Sequence, residues 1–258
     1  MQKLFVATMS ISQTILLIIL GLLSGFINMF AGGGSMLVVP FLILIGLPAN
    51  VANATNRVAI ICQNLVSTAT FRKKKIINFK YDYKLLIPTA AGSILGAYAA
   101  VDIRTELLEQ VIGFLLVIMF FMVLLEPQRW IKPQTDNNTK QNKILSYFLF
   151  FLIGLYGGFI QIGVGFFLLA GLVLNCKYDL LKANGLKVFI ILFYNIIALL
   201  IFMNNDLIHW KTGLILSVGN MTGAWIGARL SIKWGPKFIR YFLLAALIMV
   251  ALKLLKIY

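Results

Sequence analysis

The chain has 258 residues, of which 60% are hydrophobic and 12% charged, with mean hydropathy +0.93 and a formal net charge of +15. Soluble domains carry about a quarter charged residues, and several apolar runs here reach the roughly 20 residues that span a bilayer, so a soluble fold is excluded. The surplus of Lys and Arg over Asp and Glu, 23 against 8, falls mainly in the short segments between apolar runs, where positive-inside topology places it; nucleic-acid binding is therefore set aside.

From the N-terminus, residues 12–31 read as a helix that ends at three consecutive glycines, Gly32, Gly33 and Gly34. Each glycine in a helix interior costs about 1 kcal/mol relative to alanine, so three together should break it. A shorter apolar arm, Met36–Leu47, follows and closes at Pro48, making 12–47 a two-armed broken helix. Lys3 ahead of the first run raises a signal peptide, but cleavage is not expected, because that run is half of a repeated unit. Ala49–Val58, rich in Asn, opens a span near 55–71 that stops at Arg72 and Lys73–Lys75, and further spans are expected near 85–101 and 106–125. Residues 1–126 thus form a first repeat, and 127–143, with Pro127, Pro133 and Asp136-Asn137-Asn138, a cytoplasmic linker.

Residues 144–258 repeat the plan: a broken helix over 144–175, then spans near 184–203, 211–230 and 237–255. Superposing Gly21 on Gly154 brings Gly25 onto Gly158, Phe26 onto Phe159 and Asn28 onto Gln161. Ala52-Asn53 matches Ala183-Asn184, and the segment Gly92–Tyr98 matches Gly219–Trp225. Three echoes in the same order point to an internal duplication. Matched broken helices in two halves are the strongest sequence pointer to a transporter site, because unwound backbone within a membrane must line a cavity or be covered by protein. The competing reading is close packing of helices through small residues.

Charge placement sets the orientation. With the loop 72–84 in the cytoplasm and each two-armed unit crossing an even number of times, only Lys3, Arg57, Arg104, Lys211, Lys253 and Lys256 lie outside. That bias is stronger than when each unit crosses once, and it makes the halves inverted. Met36–Leu47 is short for a full crossing, so a re-entrant hairpin is favoured. The expected fold is an all-α polytopic membrane protein of two inverted-topology repeats, with about 8–10 membrane segments.

All eight acidic residues fall in loops or at helix ends. Proton- and cation-coupled carriers rely on intramembrane carboxylates, so the lack of them directs attention to what the spans do carry. That inventory is neutral or positive: Asn28, Ser35, Asn53, Thr55, Asn56, Arg57, Gln63, Asn64, Gln161, Asn184, Lys187 and Asn195. Amide donors, helix N-termini and a cation suit a small oxyanion. The candidate site comprises Asn28, Gly32, Gly33, Gly34, Ser35, Asn53, Thr55, Asn56 and Arg57 from one half, and Gln161, Gly163, Gly165, Asn184 and Lys187 from the other. Arg57 and Lys187 each carry a rival role as snorkelling interfacial anchors. Cys62 and Cys176 have no disulfide or metal spacing, and a lone His209 makes no metal site, so neither a metal nor a cofactor is expected. An intramembrane enzyme would need a nucleophile and base together, and neither a serine–histidine pair nor paired carboxylates lie in any span.

The run Gly-x-x-Ser-Gly-Phe-x-Asn-x-x-Ala-Gly-Gly-Gly-Ser (21–35), with Pro40 and Ala52–Arg57, resembles the TauE/SafE family of sulfite-exporter-like membrane proteins. Gly154–Phe159, Gly163 and Lys182–Lys187 resemble that family's second repeat, although Gly163-Val-Gly-Phe166 replaces the triple glycine and serine. The resemblance covers essentially the whole chain. It implies a multi-pass permease of the bacterial inner membrane for small sulfur-containing or organic anions such as sulfite, a sulfonate or sulfoacetate. With the paired helix breaks and the lack of intramembrane carboxylates, the expected function is export of such an anion by alternating access between the repeats. The alternative within transport is a sulfur-relay importer of thiosulfate using Cys62. Partners implied are the anion and the lipid bilayer; an oligomer is compatible with the sequence.

Overall fold

A computed structural model describes residues 10–30, 32–77, 83–114 and 143–254, the last of these with side chains to Trp234. All regular structure among the described residues is helical, with no strand among them. Helix α1 (Ile11–Phe30) is followed by a break and a short helix α2 (Ser35–Leu44), then α3 (Ala49–Lys73) and, after a 3-10 turn, α4 (Leu86–Asp102). Residues 105–114 are also helical, while the remainder of the expected 106–125 span and the linker 127–142 lie outside the described residues. The C-terminal part holds α5 (Lys143–Phe159), a break, α6 (Val164–Ala170) running on into a wider π turn (Gly171–Asn175), then α7 (Leu180–Asn204) and α8 (Trp210–Leu254).

Among the described residues, three segments are long and apolar enough to cross a membrane: Ile11–Phe30, Tyr83–Asp102 and Leu180–Asn204. Large apolar side chains such as Ile11, Ile87 and Leu214 point outward, while the buried set includes many polar ones, the inside-out pattern of a bundle solvated by lipid. This is a helical membrane protein. The second arms are short. Ten residues of α2 rise about 15 Å, half the hydrocarbon thickness.

Helix α3 is unusual in being polar and central at once. Its 25 residues bury Asn53, Thr55, Asn56, Arg57, Gln63, Asn64, Ser67 and Thr68, and it packs on both α7 and α8. Two long helix pairs flank it: α1 lies along α8, and α4 along α5. Both pairs close on small residues. A methyl on Gly21 or Gly25 would strike the backbone of Leu216 and Asn220, and one on Gly154 or Gly158 that of Thr89 and Ser93. The close-packing reading therefore holds for these four glycines. The partners are exchanged, however: the broken helix of each half sits on the glycine motif of the other.

Two expectations are corrected. Separate spans near 211–230 and 237–255 are replaced by the single helix α8, which runs through Gly235 and Pro236; proline bends a helix without having to end it, and lysines on either side are good helix formers. The repeat alignment also slips at the turns. Gly32 (φ 76°) and Gly163 (φ 69°) are the left-handed residues of the two breaks, which matches the spacing of Asn53 to Asn184 and not that of Gly21 to Gly154. In consequence Asn28 lies in the last turn of α1, whereas Gln161 lies within the unwound stretch itself.

Candidate functional site

The two breaks meet. A methyl on Gly32 would lie 2.5 Å from the Cα of Gly165, and one on Gly165 would lie 2.5 Å from the Cα of Gly32. Only glycine allows this approach, and at Gly32 the positive φ adds a second reason. Beside the crossing lies a cavity of about 10 Å³, room for one water molecule. It is lined from α1 and α2 by Asn28, Gly32 and Ser35, from α3 by Gln63 and Asn64, from the second break by Gln161, and from α7 by Lys187.

A helix that stops inside a bundle leaves its last four carbonyls without intrahelical partners. For α5 every one is accounted for. The Tyr156 carbonyl accepts from the Ile160 amide at 2.8 Å. Arg57 Nη1 donates to the Gly157 carbonyl at 3.0 Å and Nη2 to that of Gly158 at 2.6 Å. Asn53 Nδ2 donates to the Phe159 carbonyl at 2.8 Å. Asn53 and Arg57 stand four apart on α3, hence on one face, and that face caps the opposite half's broken helix. Arg57 also donates to Asn195 Oδ1 at 2.9 Å and lies 4.8 Å over the Phe202 ring. A cation at a helix C-terminus is well placed against the dipole.

The other break is served in mirror fashion. Lys187 Nζ donates to the Asn28 carbonyl at 2.8 Å, in the final turn of α1. Asn28 is a junction: its Oδ1 accepts from the Gly34 amide at 2.7 Å, satisfying the start of α2, and its Nδ2 donates to Gln63 Oε1 at 3.1 Å. Gln161 Oε1 accepts from the Tyr194 hydroxyl at 2.9 Å and from Asn195 Nδ2 at 3.0 Å. Arg57 and Lys187 are 0% and 1% exposed, and among the described residues no carboxylate pairs with either.

Of the residues expected from sequence, Asn28, Gly32, Ser35, Gln161 and Lys187 border the cavity. Gly33 sits beside the Phe166 ring and Gly34 beside Ser24, both shaping the first break, and Gly163 turns the second. Asn53 and Arg57 cap α5 rather than face the cavity. Thr55 accepts from the His209 amide at 2.9 Å, holding the loop before α8. Asn56 and Asn184 are buried, with both side-chain amide atoms lacking a protein partner, and are not among the lining residues. Gln63, Tyr194 and Asn195 join the hydrogen-bond network, and Asn64 lines the cavity with no partner among the described residues, although all four were outside the candidate set. The signal for Asn64 was its spacing, seven residues after Arg57 on the same helical face. Cys62 is half-buried and is not a lining residue.

An apolar helical bundle holding two opposed helix breaks and a buried cavity lined by a lysine, with no carboxylate among the described lining residues, is a helical membrane protein with a polar interior site. The chain belongs to the TauE/SafE family: the model for "Sulfite exporter TauE/SafE" matches residues 17–254. Relatives include a probable membrane transporter protein ORF9 from Sinorhizobium (28% identical, covering 93% of this chain and 91% of that one). The probable membrane transporter YfcA of Escherichia coli K12 is 30% identical over 93% of this chain and 88% of its own. The Bacillus subtilis probable transporter YunE is 22% identical over 93% and 97%. No solved structure matches.

Proposed function

We propose that the protein is a multi-pass secondary transporter of the cell inner membrane that exports a small anion, of the sulfite, sulfonate or related organic-anion class, through a site between two inverted halves. The observation that carries this reading is the meeting of Gly32 and Gly165 beside a cavity holding Lys187, Asn64, Gln63 and Gln161, with no carboxylate lining it among the described residues. Unwound helix pairs facing one another at a buried polar site are the arrangement carriers use for substrate. The reciprocal packing of α1 on α8 and α5 on α4 supports inverted duplication, each broken helix held by the other half. The arms α2 and α6, both too short to span, fit re-entrant hairpins.

The cavity accommodates about one water, so an oxyanion passes only when the halves part. Rocking about the Gly32–Gly165 crossing opens one side or the other. Export of an anion from a negative-inside cell is downhill by about 2.3 kcal/mol per charge per 100 mV, so no coupling carboxylate is required. Radiolabelled sulfite efflux from proteoliposomes tests the reading. Wild-type protein should release the label, and the double variant Asn28→Leu, Gln161→Leu should not; unchanged efflux from the double variant overturns this site.

A further inference from the structure

We infer that Lys187 is the single cation that meets the transported anion, and that the site therefore takes singly charged oxyanions in preference to doubly charged ones. This rests on the anion-transport reading above and deepens it. The two buried cations have different duties. Arg57 spends Nη1 on Gly157 and Asn195, Nη2 on Gly158 and its flat face on Phe202, and it does not line the cavity. Lys187 does line it, and its only hydrogen bond among the described residues is to the Asn28 carbonyl. An ammonium has three donors, so two N–H groups remain for an anion.

A second observation marks the same space as a ligand site. Asn64 is wholly buried, lines the cavity, and has neither Oδ1 nor Nδ2 bonded to protein. A buried amide left this way is costly unless something enters to meet it. Around that space stand Lys187, the amides Asn28, Gln63, Asn64 and Gln161, the Ser35 hydroxyl, and apolar Ile60, Val164, Val188 and Ile191. One positive centre neutralises one negative charge. Desolvation rises with the square of the charge, so a dianion would enter with roughly four times the penalty of a monoanion and only one cation to offset it.

Binding also bears on the latch. An anion held by the two remaining N–H groups leaves the third on the Asn28 carbonyl, so one ammonium joins the substrate to the tie between α7 and the end of α1. The charge of the substrate thus reaches the helix break directly.

The test compares methanesulfonate, fixed at one negative charge, with sulfate at two, as labelled substrates in proteoliposomes containing the full chain. Wild type should move methanesulfonate at least tenfold faster than sulfate, and Lys187→Gln, which can still donate to Asn28, should lose at least tenfold of that flux with its melting temperature in detergent little changed. If Lys187→Gln does not fold, Asn64→Asp, which places a negative charge in the same cavity, should lose the methanesulfonate flux instead. Equal or faster sulfate transport overturns the inference while leaving anion transport standing. A folded Lys187→Gln, or failing that Asn64→Asp, with full methanesulfonate flux overturns it likewise. Failure of wild type to move sulfite, methanesulfonate or sulfate brings down the transport reading and this inference together.

Discussion

Gly32 and Gly165 touch back to back, each leaving no space for the other to carry a side chain. Alanine at position 32 must both overlap the Gly165 backbone and hold φ at 76°. The left-handed conformation alone costs an L-residue about 1–2 kcal/mol, and overpacking adds about 1–3 more. Gly165→Ala suffers the overlap only. Gly33→Ala meets the Phe166 ring, which can turn aside, and Gly113 has nothing within 4 Å. The expected order of melting temperature in detergent is therefore Gly113→Ala, Gly33→Ala, Gly165→Ala, Gly32→Ala, from highest to lowest. A Gly32→Ala protein as stable as Gly113→Ala would mean that the breaks do not meet.

Arg57 is expected to matter for stability more than for substrate choice. Removing it strips partners from the Gly157 and Gly158 carbonyls and from Asn195 Oδ1, all inside the bundle. Hydrogen bonds from charged donors contribute about 1.5–3 kcal/mol each, so Arg57→Ala should lose upwards of about 3 kcal/mol and fold poorly. Lysine lacks the planar fork that spans two successive carbonyls, and Arg57→Lys should fall between. Fluorescence-detected size-exclusion after heating measures both. The ratio of methanesulfonate to sulfate flux in Arg57→Lys should match wild type.

These relationships divide what was legible in the sequence from what was not. A helix break shows in one dimension, because three glycines in an apolar run have few other uses. Asn28, Ser35 and Gln161 could be picked out as polar residues at such breaks, and Lys187 as a cation near the start of the helix that follows one. The recipient of a buried donor does not show. Arg57 reads equally as ligand or anchor until the ends of α5, a hundred residues away, are seen to need it. The register slip between Asn28 and Gln161 was hidden for a related reason: Gly21 and Gly154 align well because both are packing glycines, and packing glycines do not mark the turn. The continuity of α8 past Gly235 was hidden because Gly-Pro is permissive of a break without requiring one.

His209 gives the chain a pH dependence outside the spans. Its Nδ1 accepts from the Thr212 amide at 3.3 Å and lies 2.7 Å from the Thr212 hydroxyl, capping the start of α8. Partial burial, and secondarily Lys211, hold its pKa below the ordinary histidine value. A histidine depressed in the folded state binds fewer protons folded than unfolded. Its contribution is thus fully present above the ordinary value near 6.5 and is lost as pH falls towards and through the folded one. Melting temperature should drop on acidification from pH 7 to pH 5, and His209→Asn, which keeps a capping acceptor without titrating, should flatten that slope. An identical slope in the variant would assign the dependence elsewhere.

Gln161→Glu separates charge from shape in the site. Gln161 Oε1 serves as acceptor for Tyr194 and Asn195, and a glutamate carboxylate accepts the same two bonds in nearly the same volume. What changes is one negative charge on the wall of a cavity whose only lining cation among the described residues is Lys187. At an effective dielectric of 20, like charges about 5 Å apart repel by about 3 kcal/mol, equivalent to a loss on the order of a hundredfold in anion affinity. The variant should remain folded and lose anion flux, while Gln161→Met, which abolishes the acceptor and adds no charge, should lose stability first. Sulfite efflux and melting temperature measured side by side decide it: a folded Gln161→Glu protein that exports sulfite at the wild-type rate would place the anion's path elsewhere in the bundle.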